Sequence, residues 1–184
     1  SARCHLDPDA WLTPCIEAGD LDASVDVSET LWGTYLLEDL HHYLQLQIST
    51  LENAQAALSA NGNCPKVTDL FGHIISQLSG LCSCKSWDAV YQNRDVDYGR
   101  LTFPTKFEDI ELKEMVKTVR DNCKKGVAQK LRRFSMNSEQ LMQDIHESQC
   151  AIRGLIRLVR AFDTAYAKAK VSRKVLDFGD LEHK

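Results

Sequence analysis

The chain has 184 residues, with 22 Lys+Arg against 26 Asp+Glu, a formal charge of −4, and 43% hydrophobic residues. These values exclude disordered, collagenous and low-complexity classes, and the length suits one domain with a core able to fold unaided. No apolar run approaches the ~18–20 residues of a membrane span, and 4 Pro with 9 Gly argue against a turn-rich all-β fold.

Residues 1–29 read as an acidic N-terminal arm, in which seven acids from Asp7 to Glu29 face only Arg3. Asp7-Pro8 ahead of Trp11, Leu12 and Ile16 opens a short helical turn. A first long helix is predicted over about 30–60, with Ser28 as its N-cap. Leu37, Leu40, Leu44, Leu51, Ala54 and Leu58 follow a heptad-like rhythm, interrupted at Gln47, and Asn61-Gly62-Asn63 stops it. The second helix covers about 66–82 behind Pro65. Val67, Leu70, Phe71, Ile74, Leu78 and Leu81 form its single apolar face.

Residues 85–107 form a long connection rich in aromatics: Trp87, Tyr91, Tyr98, Phe103 and Phe107. It is expected to cross the bundle and pack on it, as a bundle requires when consecutive helices run parallel. The third helix is predicted over about 107–134, with Leu112, Met115, Val116, Val119, Cys123, Val127, Leu131 and Phe134 as its stripe. The fourth runs from about 138 to 172 behind Asn137 or Ser138. Leu141, Ile145, Ile152, Leu155, Val159, Phe162, Tyr166 and Ala169 give it the best heptad, marking it as the central helix. The expectation is an all-α four-helix bundle, read as a single domain over 1–184. It comprises the arm (1–29), the bundle (30–178) and a frayed tail (179–184).

Seven cysteines are present: Cys4, Cys15, Cys64, Cys82, Cys84, Cys123 and Cys150. The chain opens at Ser1 with no initiator Met and no basic-then-apolar leader, the form of a processed secretory protein or of a trimmed chain. In a secreted protein these are candidate disulfide cysteines, and the odd one pairs with another chain or stays free. In a reducing compartment they pack as small hydrophobes.

Charge is partitioned. Residues 1–63 hold ten acids and one base, net −9, and the remainder is net +5. Arg153, Arg157 and Arg160 lie at helical spacing on one stripe, and Lys124, Lys125, Lys130, Arg132 and Arg133 make the third helix basic. Such a face suits the carboxylates of a protein partner or phosphates. An isoelectric point near 5.9 argues against nucleic acid. Glu38-x-x-His41 has the spacing of a bundle metal ligand pair, but the only second copy carries Gln143 before His146, so no metal is assigned. No Gly-x-Ser-x-Gly and no phosphate-cradling Gly-rich loop occurs, so no catalytic site and no cofactor are assigned.

The layout is similar to that of secreted helical cytokines, a likeness of architecture carried by no motif. The reading that follows is a secreted, disulfide-stabilised ligand and not an enzyme. It would bind a protein partner or cell-surface receptor through Arg153, Arg157, Arg160, Lys124, Arg132 and Arg133. It would contact neither nucleic acid nor membrane, and a dimer through the odd cysteine is open to it. One alternative is an intracellular adaptor or scaffold with reduced cysteines. The other is a carrier of lipid or a small apolar ligand lined by Phe71, Phe134, Phe162, Tyr43 and Tyr166.

Overall fold

Helical periodicity governs the chain, and the computed structural model is all-α, with no strand among the described residues. These are residues 25–61, 64–105 and 107–176. The helices are α1 (Leu31–Asn61), α2 (Pro65–Cys82), α3 (Trp87–Gln92), α4 (Ile110–Leu131) and α5 (Ser138–Arg173). The all-α, bundle-like fold and the long connection between its second and third long helices are as expected. Most of the acidic arm lies outside the described residues, with Trp11, Leu12, Ile16, Cys4 and Cys15. So does the tail 179–184. Packing divides the chain into two compact units: Val25–Gln140, and one whose described part is 141–176.

The apolar stripe of α1 is the core of the first unit. Leu37, Leu40, Leu44, Leu51, Ala54 and Leu58 are all buried, as the spacing predicts. Each leucine contributes about 1.5–3 kcal/mol when withdrawn from water. α1 packs against both α2 and α4. Its contacts with α2 fix the direction: Gln55 Nε2 donates to Thr68 O at 2.9 Å, and Cys82 Sγ lies 3.9 Å from His41 O. These pairs run in opposite senses along the two chains, so α1 and α2 are antiparallel. On α4, Lys130 bonds Asp39, and Gly126 receives the Tyr43 hydroxyl four residues earlier. α4 is therefore also antiparallel to α1, which makes α2 and α4 parallel and explains the long crossover between them.

Local chemistry moves several boundaries. Asp26, not Ser28, caps the first turn: it accepts from Ser28 N at 2.8 Å and opens a 3-10 turn over Val27–Glu29. The cap of α1 is Thr30, whose Oγ1 accepts from Gly33 N at 3.0 Å and donates to Val27 O at 2.7 Å. Asp109 caps α4 by accepting from Leu112 N at 2.9 Å, so α4 begins three residues after Phe107 and ends in a 3-10 turn, Arg132–Phe134. Asn137 caps α5 through Gln140 N at 2.8 Å.

The crossover contains one element that the sequence pattern does not predict, α3, capped by Ser86 accepting from Ala89 N. It buries Trp87, whose ring lies 4.2 Å from Phe134 and 6.2 Å from Trp32 between centroids. Trp87 Nε1 donates to Met136 O at 3.0 Å, and Asp88 accepts from Ser138 N at 2.6 Å. Ser138 Oγ in turn accepts from Val27 N at 2.7 Å. The rest of the crossover is clamped twice. Gln77 bonds both backbone groups of Asp97, at 2.8 and 2.9 Å, and Arg120 donates to Tyr98 O and Gly99 O.

On α5 the least exposed face is not the expected seam. Met142 and Ile156 are buried, whereas Leu155 is 61% and Phe162 56% exposed. The least exposed line lies one residue on from the expected one at Met142 and Ile156, shares Ile145, Val159 and Tyr166 with it, and includes Asp163 and Lys170, while Ile152 is 48% exposed. Apolar periodicity alone does not find such a line. Within the first unit α1 is the central helix, packing on both α2 and α4. Of the aromatics expected to line a ligand lumen, Phe71 and Phe134 are fully buried and Tyr43 is laid on Gly126, which is ordinary core packing.

Two glycines allow close approach, and they should respond differently to a methyl group. A Cβ at Gly33 would overlap the Val27 carbonyl oxygen, a backbone atom held in a 3-10 turn. A Cβ at Gly126 would overlap the Tyr43 hydroxyl. Overpacking typically costs about 1–3 kcal/mol, against a helix-propensity gain of about 1 kcal/mol for Gly→Ala. We expect urea unfolding to show Gly33→Ala losing about 2 kcal/mol. Gly126→Ala should lose less, and adding Tyr43→Phe should restore part of that loss.

Candidate nucleic-acid interface

The buried stripe of α4 is Leu112, Val116, Cys123, Val127 and Leu131. Its remaining faces carry most of the cations. From Ile110 to Phe134 there are eight bases and three acids, net +5. Five of these bases already have partners or close ring contacts. Arg120 is taken up by the crossover and by Asp121 at 2.9 Å. Lys113 Nζ lies over the Phe103 ring, and Lys117 sits 3.8 Å from Glu114. Lys130 Nζ reaches both oxygens of Asp39 at 2.8 and 2.7 Å, and Arg133 Nη1 reaches one at 3.1 Å. Lys130 also lies over the Tyr43 ring, 5.3 Å from its centroid.

Lys124, Lys125 and Arg132 remain exposed, with no ion pair among the described residues. They surround a shallow concavity floored by Ala128 and Gln129, with Asp121 at its edge. The small Ala128 lets long side chains on either side stand above the helix surface. Three cations without an ion pair around one hollow suit an anionic, extended ligand.

The six sequence-predicted contact residues therefore separate. Lys124 and Arg132 share the hollow. Arg133 turns to Asp39 and belongs to the clamp. Arg153, Arg157 and Arg160 are exposed on α5 in the other unit, and Arg153 and Arg160 are each engaged with a partner. Asp39 is not among the sequence-predicted residues, although it lies inside the Glu38–His41 pair weighed for metal. Its signal is present in the sequence: α1 has no Lys or Arg at all, so its few acids are where α4 would anchor. Among the described residues no group of three His, Cys, Asp or Glu is placed to hold a metal ion.

Beneath this face lies a polar trio. The hydroxyl of buried Tyr98 makes no well-formed hydrogen bond, and its polar neighbours are the Cys123 thiol and the Tyr43 phenol. Burial pushes the Tyr98 hydroxyl far up, with the Cys123 thiol adding to it. Burial likewise pushes the Cys123 thiol up to about 11, and the Tyr98 contact offsets only part of this. Such a thiol is a core side chain and not a nucleophile.

Among the described residues the disulfide expectation is overturned. Cys64, Cys82, Cys84, Cys123 and Cys150 are free thiols. Cys64 and Cys123 are buried as small hydrophobes, and burial also raises the Cys64 and Cys84 thiols. Among the described residues no helix is long and apolar enough to cross a membrane.

Comparison with known proteins revises the functional reading further. No family model matches the chain. It is 27% identical over 189 residues to the A subunit of the ATP-dependent helicase/nuclease of Bacillus cereus (strain G9842), covering 99% of this chain and 15% of that protein. It is 25% identical over 181 residues to the protein of the same description from Clostridium novyi (strain NT), covering 96% and 15%. The chain thus spans about 15% of the length of the curated relatives it matches. These relatives overturn the secreted, cytokine-like receptor ligand and the assignment as a non-enzyme, since they are enzymes by name. They also overturn the exclusion of nucleic acid in favour of a receptor. The exclusion rested on a whole-chain isoelectric point that averages an acidic front over a basic α4.

The clamp makes a pH prediction. The hydrogen bond from Lys130, followed by the charges of Lys130 and Arg133, holds the Asp39 carboxyl below its ordinary range despite its partial burial. A lowered folded-state value gives stability that is present above the unfolded value, near 4, and is lost as pH falls through the folded one. The pair is partly exposed, so about 0.5–1 kcal/mol is expected. Asp39→Asn should lower stability by that amount at pH 7 in urea titrations. Wild type and variant should converge as the pH is taken below the lowered folded-state value of Asp39.

Proposed function

We propose that this chain is a nucleic-acid-contacting helical module of an ATP-dependent helicase/nuclease-type protein, working in the cytoplasm with its thiols reduced. The observation that carries the reading is the match over 99% of the chain to proteins of that description. Free thiols support a reducing compartment. The sequence has no Gly-x-x-x-x-Gly-Lys-Ser/Thr loop, so ATP handling is not assigned to these residues. What they offer is the hollow ringed by Lys124, Lys125 and Arg132. Phosphate contacts of this kind supply sequence-independent affinity and position the protein on the strand. The module acts as a scaffold: α1 holds α4 in place through Asp39, and α4 presents its cations. Arg153, Arg157 and Arg160 form a second basic surface on α5.

Fluorescence anisotropy with labelled single- and double-stranded oligonucleotides across a salt series tests this. Each phosphate neutralised contributes about 0.7–0.9 to the slope of log K against log salt. Joint Lys124→Glu, Lys125→Glu and Arg132→Glu should reduce that slope by about 2 and weaken binding at least about tenfold at low salt. The Arg153, Arg157 and Arg160 to Glu variant tests the second surface separately. Unchanged binding by both variants, with helicity intact by circular dichroism, would overturn the reading.

A further inference from the structure

Towards the N-terminal end of α4, roughly 20 Å along its axis from the basic hollow, the crossover meets the start of α2. Between them lies a half-open cleft of about 230 Å³, lined by Cys64, Pro65, Lys66, Thr102, Phe103 and Pro104. Its walls are mostly apolar, and it is smaller than a drug-sized site. Phe103 and Phe107 are only half-buried, with ring centroids 5.3 Å apart at 51°. Lys113 Nζ lies 5.7 Å from the Phe103 centroid, and Lys66 stands exposed on the opposite wall. Upstream, the Gln77 and Arg120 clamps fix the crossover before it reaches this point. The clamps thus fix the approach of the crossover to the cleft, which lowers the ordering cost of binding.

We propose that this cleft takes one unstacked base of a single-stranded nucleic acid, stacked on Phe103, with the flanking phosphates held by Lys66 and Lys113. The inference rests on the nucleic-acid reading above and deepens it by naming the form of the strand. A phenyl face with no hydrogen-bonding atom accepts any base, so the contact is tolerant of sequence. Two ammonium groups beside an apolar slot match a heterocycle carried between two phosphates. Glu108 and Glu111 are exposed in the same stretch and hold the net charge down, so stacking supplies the discrimination here.

The test compares a labelled oligo-dT strand with an abasic strand of equal length, using the full chain at one salt concentration. Phe103→Ala should weaken dT binding by about 5- to 100-fold, in line with stacking on one base, and leave abasic binding unchanged. Phe103→Leu, which keeps apolar volume, should weaken it nearly as much, and Phe103→Trp should retain it. If Phe103→Ala unfolds, the leucine variant carries the comparison. Equal loss on both strands, or no loss on dT, would sink the base-stacking cleft. Wild type that binds neither strand removes both this inference and the module reading. Wild type that responds to charge reversal at Lys124, Lys125 and Arg132 but not to Phe103 removes this inference alone.

Discussion

The first unit depends on the seating of one phenol on one glycine. Tyr43 of α1 lies so close to α4 that residue 126 has no room for a side chain. One turn further along, Asp39 meets Lys130. The two contacts have the same offset along the antiparallel pair, so they fix both the separation and the register of α4 on α1. Once α4 is placed, the crossover has a defined span to bridge, and its polar clamps from Gln77 and Arg120 fall where the chain passes each helix. The Trp87 hub closes the other side, tying α3 to the 3-10 turn Arg132–Phe134 and, through Asp88 and Ser138, to the start of α5.

The same seating decides which cations are available. Because α1 carries no Lys or Arg, its Asp39 takes one face of α4 for structure and leaves another unmatched. Surface ion pairs contribute little to stability, so the value of this division lies in placement. Bases that hold the fold and bases that stand around the hollow alternate along one helix, and sequence shows them only as a uniformly basic stretch.

Helix identity was legible because apolar spacing over many residues leaves little choice. The stripes of α1 and α2 are the clearest cases, and every expected α1 position is buried. The long connection was legible, but helix direction stayed open until the pairs Gln55–Thr68 and Asp39–Lys130 fixed it. The α5 face was not legible, because the least exposed line lies one residue from the expected one, shares Ile145, Val159 and Tyr166 with it and carries the polar Asp163 and Lys170. The caps shifted where a 3-10 turn used the first capping residue, as at Asp26 and Thr30. The basic α4 was visible, but its division between Asp39 and the hollow needed the pairing of helices distant in sequence. The functional class was misread because seven cysteines and a low isoelectric point were given a meaning that burial and relatives do not support.

Parallel α2 and α4, both opposed to α1, have an electrical consequence. Their N-termini lie at one end of the unit and the C-terminus of α1 lies between them. Each helix start carries a partial positive charge of about half an electron, and each end its negative counterpart. The cleft at Pro65 and Phe103 therefore opens at the end where two positive helix poles flank one negative pole. The opposite end gathers the negative poles of α2 and α4, and there Lys130, Arg132 and Arg133 sit in or beside the last turn of α4. The basic side chains at that end thus face the negative helix poles, the placement that the helix dipole favours.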